Sequence, residues 1–138
     1  MAVAPGPNSD EWVHFRPHNV TAVAATDGSN ATLVTLTIRN RIGRPAGPHM
    51  FLLYLSDSAT GVGVTATTAS GAVTDKTAGT TGQVLSALIA KKALLVQNIA
   101  DGTYQLSITD SAKTAFKVCV EIDGVVYVPL TLAAGNYG

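Results

Sequence analysis

Charge, large aromatic side chains and cysteine are all scarce in this chain, and each scarcity removes a class of function. Charged residues make up 13% of 138 positions, nine basic against nine acidic, for a formal net charge of zero. A protein that tracks phosphate backbones needs a cationic surface, so nucleic acid is not an expected partner. The single cysteine, Cys119, forbids an intrachain disulfide and offers no thiolate cluster for zinc. The first residues lack a basic region followed by an apolar run, and nowhere do 18 apolar residues follow one another. Neither a secretion signal nor a membrane span is expected. Asn19-Val20-Thr21 and Asn30-Ala31-Thr32 match the glycosylation pattern, but without a signal they read as chance.

Catalytic and metal-binding sets are missing from the pattern as well. His14, His18 and His49 lie in irregular segments far from Cys119, so no nucleophile has a base beside it. His14 and His18 are separated by Pro17 and are joined by no carboxylate or thiol, so they read as plain histidines of the N-terminal arm. Asp57, Asp75, Asp101, Asp110 and Asp123 fall in turns or loops, where the side chain bonds its own backbone; none begins the alternating acidic series of a calcium loop. Gly61-Val62-Gly63 and Gly79-Thr80-Thr81-Gly82 lack the lysine and the strand-to-helix setting of a phosphate loop. The chain is expected to be no enzyme and to need no cofactor.

What the chain does contain is alanine, threonine and small aliphatics, with a mean hydropathy of +0.27 and only 6% aromatics. One domain accounts for this length. The core is expected to be aliphatic, and the threonines predict an all-β fold with a bland outer surface. Residues 1–19 carry Pro5, Gly6, Pro7, Asn8 and Pro17 without a sustained period and read as an extended arm, with the β-domain following over 20–138. Trp12 and Phe15 in that arm must pack against something, either the edge of their own domain or a neighbouring subunit.

Alternation predicts strands over 20–24 and 33–40, with Val34, Leu36 and Ile38 on the inner face and Thr35, Thr37 and Arg39 on the outer, joined by the turn Thr26–Asn30. Residues 41–49 hold two prolines and two glycines, and with Arg39 they concentrate three arginines, a loop with a positive patch. Met50 to Leu55 is apolar on both faces and reads as a central strand. Val64–Thr68 and Ala72–Thr74 read as short strands between turns at 56–61 and Ser70-Gly71, and 76–82 as a small-residue loop. Residues 83–93 fit a strand better than a short helix.

Two Asp-Gly pairs suggest two hairpins. A three-residue loop at Ile122-Asp123-Gly124 pairs Val120 with Val126, Val118 with Val128 and Phe116 with Leu130, placing every apolar side chain on one face. That register leaves Cys119 partly covered on the face of Lys117, Glu121 and Tyr127. The same test at Ala100-Asp101-Gly102 pairs Val96 with Leu106 and Leu94 with Ile108, leaving Tyr104 opposite Asn98. A four-strand meander over 94–99, 103–109, 115–121 and 125–132 follows. With the earlier strands, eight or nine in all, it predicts a β-sandwich.

The stretches Leu53-Tyr54-Leu55-Ser56-Asp57-Ser58-Ala59-Thr60-Gly61, Thr67-Thr68-Ala69-Ser70-Gly71, Lys91-Lys92-Ala93-Leu94-Leu95-Val96-Gln97 and Gly102-Thr103-Tyr104-Gln105-Leu106-Ser107-Ile108-Thr109-Asp110 resemble modules of tailed-bacteriophage virion proteins. The resemblance covers roughly the last two-thirds of the chain, and its residues are those of turns and strands. It implies an immunoglobulin-like antiparallel sandwich. It also implies a structural role, best a capsid decoration or cement protein on the outer surface of the head, made in the host cytoplasm and bound to the major capsid protein or other virion subunits. A tail or fibre subunit is the alternative within that family, and a carbohydrate-binding adsorption module the alternative outside it, although the aromatics are too scattered to show a platform. Self-association is compatible with so little charge. The expected partner-binding residues are Trp12, Phe15 and Arg16 in the arm and Arg39, Arg41 and Arg44 in the loop.

Overall fold

The structure, a computed structural model, describes residues 17–138. Nine strands follow one another: β1 (Pro17–Thr26), β2 (Ala31–Asn40), β3 (Met50–Ser56), β4 (Val73–Asp75), β5 (Gln83–Ile89), β6 (Ala93–Gln97), β7 (Thr103–Thr109), β8 (Lys117–Ile122) and β9 (Val125–Thr131), before one 3-10 turn at Ala134–Asn136. Two antiparallel sheets pack as a sandwich, β1-β2-β7-β4 against β5-β6-β3-β8-β9. The period-2 pattern drives this layering. In β2 and β7 each second residue (Val34, Leu36, Ile38; Tyr104, Leu106, Ile108) is fully buried, while the threonines, serine and glutamine between them face outward. From the other sheet Phe51, Leu53, Leu55, Leu94, Val96, Val118 and Val120 complete the core. That core is mainly aliphatic around four aromatics, Phe51, Tyr104, Phe116 and Tyr137, with the Phe51 and Tyr104 rings edge to face at 6.1 Å.

β3 is central, as its two-sided apolarity predicts, with β6 on one side and β8 on the other. Residues 83–89 form a strand and not a helix. The β1–β2 hairpin and its turn also match expectation.

The remaining pairings differ from the predicted ones. Strands β6 and β7 are not a hairpin: β6 pairs with β3 and β5, whereas β7 pairs with β2 and β4. The turn at Ala100-Asp101-Gly102 is tight, with Gly102 N–H on Ile99 O at 2.9 Å, but it carries the chain from one sheet to the other. Leu94 and Val96 therefore meet Leu106 and Ile108 across the core and not along a ladder. A one-sided apolar pattern is the same in both arrangements, so the meander is not formed and β8–β9 is its one surviving hairpin.

The β8–β9 turn has two residues, Asp123 at φ 52° and Gly124 at φ 76°, the left-handed pair that matches strand twist in a tight hairpin. Val120 thus pairs with Tyr127 and Glu121 with Val126, in place of the expected Val120 with Val126, a register that puts Val126 on the outer face with Glu121. A bulge repairs it: beyond Val120 the ladder shifts so that Val118 pairs with Leu130, with Val128 and Pro129 opposite Cys119 alone. Proline, which has no N–H to lose, suits that position. Tyr127 accordingly packs against the main core and not beside Cys119.

No strand forms over 64–68. Residues 57–72 instead make a strap held by isolated backbone bonds, Thr65 N–H to Leu55 O at 2.7 Å and Gly71 N–H to Thr109 O at 2.8 Å, and by side chains: Asp57 accepts from Thr65 Oγ1 at 2.6 Å and Ala66 N at 3.0 Å, and Lys92 Nζ reaches Ala66 O at 3.0 Å. Asp75, expected in a loop, ends β4.

Candidate interaction surfaces

Two surfaces stand out, one at an end of the sandwich and one on a face. The end is built by the loop between β2 and β3. Buried Asn40 accepts from Ile42 N at 3.1 Å and Arg44 N at 3.0 Å, curling the loop back on itself. Buried Asn98 gives its Nδ2 to Ala46 O at 3.2 Å and Gly102 O at 3.0 Å, and its Oδ1 accepts from His49 N. Two asparagines therefore tie the loop to β2 and to the β6–β7 turn. Buried amide networks of this kind fix a conformation because each lost bond leaves a desolvated group behind.

On this frame Arg41 and Arg44 are exposed, whereas Arg39, the ninth residue of β2, donates from Nη1 to Gly43 O at 3.1 Å. The three arginines predicted from sequence are thus brought to one end, with Arg39 spent on the loop itself. Trp12, Phe15 and Arg16 lie outside the described residues. Pro17 pairs with Asn40, so residues 1–16 join the fold directly beside the arginine loop. His49 closes the loop on its other side, its imidazole held below the usual histidine range by burial, against a smaller opposing effect of Asp123.

The second surface was not foreseen. Of ten exposed large hydrophobic residues among those described, Val23 alone lies on the outer face of the four-stranded sheet and Ile42 in the arginine loop. The other eight belong to the five-stranded sheet or the strap crossing it: Met50, Val62, Val64, Leu85, Leu88, Ile89, Val125 and Val126. The outer surface is bland on one side only. Cross-strand pairing sorts the outward residues of the five-stranded sheet into rows. Gln83, Gln97 and Met50 form the row nearest the arginine end; Ser86, Leu95, Leu52, Glu121 and Val126 form the next; Ile89, Ala93, Tyr54 and Cys119 form the third.

The strap lies against this third row. Tyr54 Oη donates to Gly61 O, and a side chain at Gly61 would run into Val126 Cγ1 at 2.9 Å and Val128 Cγ2 at 3.1 Å. Glycine is required there for the close approach. Tyr54, Ala93 and Cys119 consequently form a second, smaller buried cluster. Cys119 is on the face that sequence assigned to it but is fully buried, not partly covered. Burial pushes its thiol up to about 11, which keeps it protonated at neutral pH.

Among the described residues no cluster of three or more His, Cys, Asp or Glu side chains is placed to hold a metal ion. Of the tyrosines, Tyr54, Tyr104 and Tyr137 are buried and Tyr127 is half-buried, so they do not assemble an exposed stacking platform. Tyr104 Oη and His49 Nε2 are enclosed without hydrogen-bond partners among the described residues. The apolar face left one kind of trace in the sequence, three charge-free stretches at 58–74, 77–90 and 124–138. Compared with protein-family models, with curated proteins and with solved structures, the chain matches none.

Proposed function

We propose that the chain is a non-enzymatic virion structural protein, a decoration or cement protein that binds the outer capsid lattice of a tailed bacteriophage. The observation that carries this reading is the arginine end. A loop pinned by Asn40 and Asn98 displays Arg41 and Arg44 beside the point where residues 1–16, with Trp12, Phe15 and Arg16, join the fold. A preorganised cationic loop next to an aromatic-bearing segment supplies the arginine and aromatic anchors that dominate protein interfaces. Zero net charge and a threonine-rich outer sheet suit a subunit held permanently in an assembly.

Strand order supports the immunoglobulin-like part of the reading. The arrangement β1-β2-β7-β4 opposite β5-β6-β3-β8-β9 has the spatial order of the variable-type sandwich, A-B-E-D opposite C″-C′-C-F-G. The departure is in chain order, because β4 precedes β5 and β5 precedes β6.

The test is sedimentation with capsid shells assembled from the coat protein of the same virus. The full chain should co-sediment, and the chain lacking residues 1–16, or carrying Arg41→Glu with Arg44→Glu, should stay in the supernatant with its β-sheet circular dichroism intact. Undiminished binding by both variants overturns the reading.

A further inference from the structure

We propose that the outer face of the five-stranded sheet is the interface of a two-fold homodimer, its occupant a second copy of this chain. The proposal does not depend on the capsid reading, which places the lattice contact at the arginine end.

Shape is the first argument. The strap is seated on the third row of the sheet, and its tip stands clear of it: Val62 is 76% exposed, and the Cβ position of Gly63 meets nothing within 4 Å. Immediately towards the arginine end lies the floor, the row Ser86, Leu95, Leu52, Glu121 and Val126, with Met50, 60% exposed, in the next. An apolar ridge beside a floor that is apolar except for Ser86 and Glu121 is self-complementary in shape under a two-fold axis. With the axis crossing the strands between ridge and floor, the ridge of each copy rests on the floor of the other, and each contact occurs twice.

Charge is the second. On β8 the cation Lys117 lies on the ridge side, next to Asp57, which is engaged by Thr65 and Ala66; the acids Glu121 and Asp123 lie on the floor side. The same axis carries Lys117 of each copy over the acidic end of β8 in the other. Zero net charge adds no repulsion between copies.

Area is the third. Five strands about 4.8 Å apart and about six residues long at 3.3 Å give a plan of roughly 480 Å² per copy. Two copies then approach ~1,000 Å² before the relief of the ridge is counted, the lower bound for a specific interface. Strand addition along the free edge of β5 is the competing geometry, and the edge is badly made for it. Register shifts between Val84 and Ser86 and between Ala87 and Ile89 leave Leu85 and Leu88 as extra residues, two bulges that interrupt the row of free backbone groups.

Sedimentation equilibrium of the full chain at micromolar concentration tests this. The wild-type chain should be a dimer. Val62→Asp on the ridge and Met50→Asp on the floor should each raise the dissociation constant about 100-fold or more, with unchanged circular dichroism. Val23→Asp, on the outer face of the other sheet, should leave the dimer intact. A monomeric wild-type chain at ~100 µM overturns the proposal, as does a dimer that survives both the ridge and floor substitutions or one that Val23→Asp abolishes equally. Capsid co-sedimentation of the monomeric variants separates the two proposals, because it should persist.

Discussion

Asp110 shows how one side chain can organise a region that has little regular structure. Buried at the end of β7, its carboxylate accepts from Ser70 N at 3.2 Å, Ala112 N at 3.3 Å and Thr114 N at 2.9 Å, tying the strap and the β7–β8 connection together. Burial pushes its pKa up, but these bonds, with the Thr114 side chain, outweigh burial and hold it below the usual carboxylate range. A depressed pKa in the folded state gives stability that is present above the unfolded value, ~3.9, and is lost as pH falls through the folded value. Asp110→Ala leaves buried donors unpaired and should cost ~2–3 kcal/mol at pH 7, measured as a lower urea midpoint. Asp110→Asn should flatten the decline in wild-type stability between pH 4 and pH 2. A variant whose acid limb matches wild type refutes this role. Asp57 and Asp101 have depressed values of the same sign, each bonded first to a threonine hydroxyl, Thr65 and Thr103, so part of the acid limb should remain.

At the scale of elements, the β8–β9 hairpin shows a local turn preference prevailing over a face pattern. Asp123 and Gly124 both adopt left-handed backbone angles, and the space around a Gly124 side chain would be empty. Gly124→Ala therefore tests backbone strain alone: an expected loss of ~1–2 kcal/mol in thermal or urea unfolding, with no change in the fold. A neutral result would show that the turn relaxes without cost. The strap is the opposite case, an element without a ladder partner, held by side-chain bonds of Asp57, Tyr54, Lys92 and Asp110 and by two isolated backbone bonds, to Leu55 O and Thr109 O. Thr65 there looks like a strand residue in sequence, yet its hydroxyl is used as a buried donor to Asp57. Hydrophobicity patterns carry no record of such bonds, which is why a strand was expected over 64–68.

At the scale of the whole molecule, Cys119 is a built-in reporter. Its thiol is enclosed between the strap and the five-stranded sheet, and burial holds it protonated at neutral pH. Thiol reagents should label the native protein only through opening, so labelling in urea should follow the unfolding transition; rapid labelling in the absence of denaturant would contradict the strap's seating. Much of this architecture was legible in the residues: the alternation in β2 and β7, the two-sided apolarity of β3, the strand character of 83–89 and the loop that gathers Arg39, Arg41 and Arg44. Those signals are local, since a strand shows its buried face in its own sequence whichever strand lies beside it. Pairing is not local. Leu94 and Val96 bury the same surface whether Leu106 and Ile108 lie alongside or opposite, so only the packed sandwich decided that β6 and β7 belong to different sheets. The apolar face needed the same information, because Met50, Val62 and Val126 are distant in sequence and become one surface when β3, β9 and the strap are laid together. Sequence by itself determined the class of fold and which side chains face inward, through period and turn chemistry. Tertiary structure decided strand neighbours and the exposed surface, because hydrophobic burial has no direction and is satisfied equally well by several partners.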